Sequence, residues 1–152
     1  MHLRVNFRNA LVVSAVLIGS LLGATRGTQA SASSSTVGDA LLSFETHVKW
    51  AAVSDKWAGA RPAWIGRVKA ADTVGALATE ILALETAMGW GAVEDSWRTR
   101  RDGWVAELSS AKTEATLARL LLELEATTKW TTVDDGWKAL RDDWIARLKA
   151  LR

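Results

Sequence analysis

The chain has no cysteine and no tyrosine, and Pro62 is the only proline among its 152 residues. Without cysteine it can form no disulfide and can offer no thiolate to a substrate or a metal ion. Histidine occurs only at His2 and His47, so a tight transition-metal site is not expected. The sequence also lacks a Gly-rich phosphate loop and a G-x-S-x-G nucleophile motif. These absences predict a protein that is not an enzyme and that carries no cofactor.

Acidic residues are absent before Asp39, and the first part of the chain has the layout of an export signal. Arg4 and Arg8 precede an apolar run, 10–22, which is shorter than the ~20 residues that a membrane span needs. The small residues 30–32 (Ala-Ser-Ala) then resemble a cleavage site. We therefore predict that residues 1–32 form a signal peptide and that the protein is secreted or periplasmic. An uncleaved membrane anchor and an organelle transit peptide are the alternatives.

Removing residues 1–32 also removes Arg4, Arg8 and Arg26, which leaves sixteen basic residues against seventeen acidic ones. A nearly neutral domain has no electrostatic surface of the kind that binds a phosphate backbone. The sequence thus predicts no nucleic-acid partner. No N-glycosylation site remains either, because both asparagines, Asn6 and Asn9, lie in the predicted signal.

What the chain does have is a regular ladder of nine tryptophans, spaced by seven residues within a group and by forty between groups. The three groups are Trp50, Trp57 and Trp64; Trp90, Trp97 and Trp104; and Trp130, Trp137 and Trp144. A fixed period of this length is the signature of an internal repeat. We predict three repeats, 33–72, 73–112 and 113–152, that together form one domain. Their first residues, Ser33, Thr73 and Thr113, are good helix N-caps.

Each repeat contains two helical patterns, which are clearest in the third. Leucines at 117, 120, 121 and 124 follow one helical face, and apolar residues at 130, 133, 137, 140 and 144 follow another. The two stripes would lie on opposite sides of a single helix, so we predict a break, with helix A near 113–127 and helix B near 131–150. Pro62 predicts that helix B of repeat one bends there or begins near Arg61.

The predicted fold is therefore all-α, with six helices in three tandem hairpins of forty residues. Two arrangements remain open from the sequence, a short α-solenoid and a compact helical bundle. In both, the predicted signal helix precedes the repeat domain.

The tryptophans of each repeat fit two interpretations. They can form the core face of helix B, where each large ring would bury much apolar surface. Alternatively, an arginine that lies four residues after one tryptophan and three before the next can sit between two indoles in a cation–π contact on an exposed face. This second interpretation makes a candidate partner-binding or ligand-binding set of Trp57, Arg61, Trp64, Trp97, Arg101, Trp104, Trp137, Arg141 and Trp144.

Other polar residues suggest structural roles. The recurrent Glu45, Glu85 and Glu125 are predicted to face solvent, and two of them have a lysine four residues later. His47 is predicted to be a surface residue rather than a ligand, since the other repeats have Ala87 and Thr127 at that position.

From these observations we expect an exported helical-repeat protein that binds a macromolecular partner, another protein or a second copy of itself, through a Trp/Arg-rich face. One alternative is a carrier of an apolar or aromatic small molecule, such as a pigment, quinone or lipid. Another is a membrane-anchored accessory subunit whose tryptophans contact the membrane surface.

Overall fold

The computed structural model describes residues 35–151, and the predicted signal segment 1–32 lies outside this range. Three α-helical hairpins follow one another, each with a short 3-10 turn between its two helices. The helices are α1 (Thr36–His47), α2 (Trp57–Ala70), α3 (Val74–Ala87), α4 (Trp97–Ser110), α5 (Glu114–Thr127) and α6 (Asp135–Lys149). The turns are Trp50–Ala52, Trp90–Ala92 and Trp130–Thr132. The all-α prediction is confirmed.

The order in which the helices pack closes the structure on itself. The first helices of the hairpins, α1, α3 and α5, contact one another in the centre. Around them, α2 lies against α1 and α3, α4 lies against α3 and α5, and α6 lies against α5 and α1. Because the last helix packs on the first, the structure is a closed helical bundle and not an open solenoid, in which each repeat would contact only its neighbours in sequence.

The central helices begin as their sequences predict, with one exception. Thr73 and Thr113 cap α3 and α5, and each hydroxyl accepts a hydrogen bond from the backbone N–H three residues later. In repeat one the cap is Ser35, which accepts from Gly38 N–H at 3.0 Å. The predicted cap at Ser33 lies outside the described residues, and α1 begins at Thr36.

The second helices begin later than predicted. In repeat three, α6 starts at Asp135 rather than near 131, because Trp130–Thr132 form a 3-10 turn and Val133 is extended. The first tryptophan of each ladder therefore does not belong to the second helix. The spacing of seven continues through the turn, but the helix does not, since Val133 pairs with Val48 in a backbone bridge.

Pro62 does not mark the start of a helix. The helix α2 runs from Trp57 to Ala70 with Pro62 inside it, so the prediction of a start near Arg61 is wrong. Proline has no N–H to donate to the carbonyl of Ala58 and crowds that carbonyl. Most of the stability of this helix comes from its buried residues, such as Trp57 and Trp64, which hold it in place in spite of the proline.

Replacing Pro62 with alanine is expected to stabilise the protein by about 1–2 kcal/mol. The gain from the restored helical hydrogen bond and the relieved clash, about 3 kcal/mol at most, is reduced by the greater freedom of the unfolded chain. Urea unfolding of the two proteins measures the difference. Ala60→Gly, two residues away in the same helix, is the control and should destabilise by about 1 kcal/mol. A Pro62→Ala variant that is less stable than the parent would contradict this view of α2.

Three isolated antiparallel bridges within residues 35–151 join the hairpins at the end of the bundle where the turns lie. They pair Val48 with Val133, Val53 with Met88, and Val93 with Thr128. Each is accompanied by the same two backbone hydrogen bonds, of 2.8–3.0 Å. We call this part of the molecule the turn end, formed by residues 48–54, 88–94 and 128–134. Because each segment pairs with both of the others, the three turns form a ring at one end of the bundle.

Candidate functional site

Each repeat contains a buried glutamate that receives three hydrogen bonds from the second helix. In repeat one, Glu45 accepts from the Trp57 indole N–H at 3.0 Å and from Arg61 Nε and Nη2 at 2.6 and 2.9 Å. The same cluster recurs in repeat two, with Glu85, Trp97 and Arg101, and in repeat three, with Glu125, Trp137 and Arg141. We call these the Glu–Arg–Trp clusters.

The three glutamates are almost completely buried, with 5–6% of each residue exposed. The prediction that they face solvent and pair with lysines is therefore wrong. Two features of the geometry favour the arginine over the lysine four residues later as the partner of the glutamate. The guanidinium meets both carboxylate oxygens at once, and the indole N–H donates to the same carboxylate. If the glutamate paired with the lysine instead, the indole N–H would be left unpaired.

The paired arginines stay charged. Hydrogen bonding to the glutamate raises the pKa of Arg61, Arg101 and Arg141 above the usual range, although desolvation acts in the opposite direction. Each pair is thus a neutral unit made of two opposite charges. Since Nε and Nη2 of each arginine are used by the carboxylate, Nη1 is left without a protein acceptor among the described residues.

The first tryptophan of each ladder lies at the turn end and is the most exposed large apolar side chain of its repeat. Exposed fractions are 60% for Trp50, 50% for Trp90 and 52% for Trp130. The arginine of the same cluster lies over each ring, with its guanidinium carbon 5.9, 6.0 and 5.4 Å from the ring centroid in repeats one, two and three. Each site at the turn end therefore combines an exposed indole with an arginine whose side chain is held by the salt bridge to the buried glutamate.

A shallow open pocket accompanies the exposed ring in the first two repeats. The pocket of repeat one has a volume of about 170 Å³ and is lined by Trp50, Arg61, Thr46 and Val53 among others. Its counterpart in repeat two has about 220 Å³, with Trp90 in its wall. Both volumes are below the ~300–1,000 Å³ that are typical of pockets for drug-sized ligands.

The residues of the candidate site divide into two groups. The six tryptophans that come second and third in the ladders, Trp57, Trp64, Trp97, Trp104, Trp137 and Trp144, are all buried. Neighbouring rings of one ladder meet at centroid distances of 5.1–5.2 Å in tilted or edge-on arrangements. These rings belong to the core. The three arginines are partly buried and reach the turn end.

The expected cation–π geometry needs a correction. Arg61 does not lie between Trp57 and Trp64, because those rings contact each other and the guanidinium points to Glu45 and Trp50. Since the helix begins only at Trp57, the turn folds Trp50 back over the arginine. The candidate set from the sequence thus includes the three cluster arginines but not the exposed rings or the glutamates. The constant spacing of sixteen residues between the glutamate and the arginine in all three repeats was the signal that could have found the pair.

The third tryptophan of each ladder connects neighbouring hairpins. Its indole N–H donates to a backbone carbonyl in the central helix of another repeat: Trp64 to Glu80 at 3.0 Å, Trp104 to Leu120 at 2.9 Å, and Trp144 to Ala40 at 2.8 Å. The last of these bonds joins repeat three to repeat one. A leucine would leave part of this space empty and could not donate a hydrogen bond to the carbonyl, which gives a physical reason for tryptophan here.

His47 lies at the junction between repeats one and three. Its Nδ1 is 2.8 Å from Asp134 Oδ1, and its ring lies 5.7 Å from the Trp137 ring. The Asp134 side chain also accepts from Trp137 N–H and so caps α6. His47 is thus half-buried between repeats one and three. Gly136 lies next to the imidazole, and a Cβ added at Gly136 would come within 3.1 Å of that ring.

Asp134 is expected to make part of the stability dependent on pH. Desolvation opposes its ionisation, but hydrogen bonds from His47 and Trp137 N–H outweigh that effect and lower the pKa of Asp134. Such a group stabilises the fold above its unfolded pKa of about 3.9, and the contribution is lost as the pH falls through the lower folded value. We expect Asp134→Asn to destabilise at pH 7 by at most about 1 kcal/mol, since the carboxylate is half exposed.

The measurement is urea unfolding of the parent and of Asp134→Asn between pH 7 and pH 2. The difference in free energy should shrink as the pH falls below 4. Asp55→Asn, which changes an exposed carboxylate just after the turn segment of repeat one, is the control for the substitution itself. A difference that stays constant across the range would show that the Asp134 charge has no part in closing the bundle.

No group of three His, Cys, Asp or Glu side chains in residues 35–151 is arranged to hold a metal ion. Within the same range, no helix has the length and apolar character to cross a membrane.

The fold defines the molecule as a closed bundle of three helical hairpins. A protein-family model described as a domain of unknown function (DUF8799) matches residues 73–138, less than half of the chain. The match covers repeat two with its whole ladder and the part of repeat three up to the start of α6. No curated protein matches the chain, and no solved structure matches it.

Proposed function

We propose that this protein is an exported, non-enzymatic binding module that contacts a macromolecular partner through the turn end. The observation that carries the proposal is the placement of three half-exposed indoles, Trp50, Trp90 and Trp130, on one end of the bundle. Large apolar side chains that face water together on one surface are typical of interaction sites.

The rigidity of the three sites supports this function. In repeat one, a salt bridge to buried Glu45 holds the Arg61 side chain, and the bridge of Val53 to Met88 fixes the turn that carries Trp50. Groups that are already ordered lose little conformational entropy when a partner binds. Tryptophan and arginine are also the residue types that contribute most often to binding energy at protein interfaces.

A purely structural role for the exposed rings is the competing explanation. Each ring shields its arginine from water, and a cation–π contact of this kind stabilises by about 0.5–1 kcal/mol at an exposed position. That gain is small beside the several kcal/mol that the six buried tryptophans contribute by burial. The exposed rings are therefore a modest source of stability, and their removal should leave a folded protein for binding tests.

The test compares the parent with the triple variant Trp50→Ala/Trp90→Ala/Trp130→Ala. Each is used to capture partners from the native extracellular or periplasmic fraction, and every protein or polymer retained is then identified and titrated in purified form. The triple variant should lose at least tenfold in affinity and remain folded by circular dichroism. Leu140→Ala removes the other large exposed apolar side chain in residues 35–151, which lies in α6 outside the turn-end segments, and serves as the control. Equal affinity of parent and triple variant for the purified partner would refute the proposal.

Export is tested separately by the mass of the protein isolated from its own source. A mass that corresponds to residues 33–152 is the expected result, because residues 30–32 form a small-residue cleavage signal. A mass that includes residues 1–32 would show instead that the segment is retained, as an anchor would be.

A further inference from the structure

The exposed indoles have an unusual electrostatic setting that restricts what can bind them. Among the described residues, the cation that all three sites share is the cluster arginine. A buried glutamate 2.5–2.6 Å away balances its charge. An anionic ligand at the guanidinium would also face this carboxylate. A cationic ligand at the indole would meet the guanidinium that already lies over the ring. Around the cluster arginine, the sites thus disfavour charged ligands of both signs.

The donors and surfaces that remain suit an uncharged ligand with a flat C–H face and several oxygen acceptors. The face of an indole carries negative potential, which attracts polarised C–H groups. Next to it, the unused Nη1 of Arg61 can donate to a ligand oxygen. At the rim, the Thr46 hydroxyl donates to Leu42 O at 2.8 Å and keeps its lone pairs free to accept. A pyranose ring combines an apolar C–H face with hydroxyls around its edge.

The size and arrangement of the sites also favour a ligand made of sugar rings. Pockets of about 170 and 220 Å³ are suited to a single ring rather than to an extended ligand. The three sites surround the closed ring of turns, so one extended strand or polyproline segment could not follow them along a line, as it follows the groove of a peptide-binding domain. Neighbouring chains or branches of a polysaccharide could occupy several sites at once.

We infer that the turn end binds a neutral polysaccharide, with one sugar ring stacked on each exposed tryptophan. This inference rests on the proposed function and names the class of partner. The sites are not equal. Among residues 35–151, no second cation lies over Trp50, whereas Arg98 lies 5.3 Å from the Trp90 ring. Repeat one also has Thr46, where repeat three has Ala126. Trp50 is therefore the most accessible platform for a sugar ring.

The experiment uses the purified protein and insoluble cellulose, β-1,3-glucan, chitin and mannan as probes, followed by calorimetry with soluble oligosaccharides of the polymer that binds. Heparin, polygalacturonate and a proline-rich peptide are tested in parallel. We expect binding to at least one neutral polymer that persists in 0.5 M NaCl, because screening at about that ionic strength removes attraction between exposed charges.

The single and triple tryptophan variants test whether polymer binding depends on the exposed indoles. Trp50→Ala should weaken polymer binding more than Trp90→Ala or Trp130→Ala, and the triple variant should lose it by ~100-fold or more, since the gain from several linked sites is lost along with each contact. Leu140→Ala should bind as the parent does. Circular dichroism must show that each variant is folded.

Three outcomes would overturn the inference. They are no binding to any neutral polymer, binding that the triple variant retains, and binding only to the anionic polymers or to the peptide. If the triple variant loses a purified protein partner while no polysaccharide binds the parent, the proposed binding role of the turn end stands and only the saccharide is wrong. If neither protein nor polymer binding depends on the three tryptophans, both proposals fail.

Discussion

Replacing Glu85 with alanine is expected to lower the free energy of unfolding by about 3–5 kcal/mol, because it removes one partner of a buried ion pair. The carboxylate accepts from Trp97 Nε1 at 3.0 Å and from Arg101 Nε and Nη2 at 2.6 and 2.7 Å. Alanine leaves the buried indole N–H without an acceptor and the partly buried guanidinium without its counter-charge. Urea unfolding at pH 7, followed by tryptophan fluorescence, gives the value.

Two variants show which part of the loss comes from charge. Glu85→Gln keeps a carbonyl oxygen for Trp97 but removes the negative charge, so we expect a smaller loss than for alanine. Glu94→Ala changes an exposed glutamate of the same repeat and should stay within about 0.5 kcal/mol of the parent. If Glu85→Ala cost less than about 1 kcal/mol, the Glu–Arg–Trp clusters would not be important for stability.

Replacing Trp144 with alanine should have an effect of similar size, about 3–5 kcal/mol, for a different reason. The ring is fully buried, contacts Phe44 and Trp137, and donates to Ala40 O at 2.8 Å across the junction of repeats three and one. The change leaves a large cavity and removes a hydrogen bond between two repeats that no peptide bond joins. Thermal and urea unfolding should both show the loss.

Trp130→Ala is the matched control, since it removes the same side chain from the same repeat at an exposed position. We expect it to cost less than about 1 kcal/mol, the value of a surface cation–π contact. Trp144→Phe should fall between the two, because it keeps most of the apolar volume and loses the indole N–H. Similar losses for Trp130→Ala and Trp144→Ala would mean that the division into core and surface tryptophans is wrong.

The three junctions of the closed bundle use different charge pairs, although the repeats share one core pattern. Arg67 pairs with Glu80 between repeats one and two, Arg119 with Glu107 between repeats two and three, and His47 with Asp134 between repeats three and one. Each pair has at least one partly exposed partner, and pairs near the surface contribute little stability. Their variety can still favour the native order of the hairpins, because most other orders would not match opposite charges.

A good part of the fold could be predicted from the sequence. The forty-residue period, the leucine stripe of α5 and the caps at Thr73 and Thr113 are local signals, and the structure has helices at these places. The start of α6 was misplaced because the apolar spacing continues through Trp130 and Val133, which the backbone bridge to Val48 holds out of the helix. A partner distant in sequence decided the local structure there.

The candidate site was predicted only in part, for the same reason. Arg61, Arg101 and Arg141 could be selected from their position between tryptophans, but their partners could not. Glu45 has a lysine four residues later, and the i,i+4 spacing on a helix predicts an ion pair with that lysine. Only the packing of α2 on α1 brings Arg61 and Trp57 to the carboxylate together.

The sequence by itself determined the number of repeats, the helical class, the break within each hairpin and the near neutrality of the domain, because periodicity, composition and caps are properties of neighbouring residues. Only the tertiary structure decided that the three hairpins close into a ring, that six tryptophans are buried and three exposed, and that each glutamate lies inside. These features depend on contacts such as that of Trp144 with Ala40, more than a hundred residues away, which arise only when the last helix packs on the first.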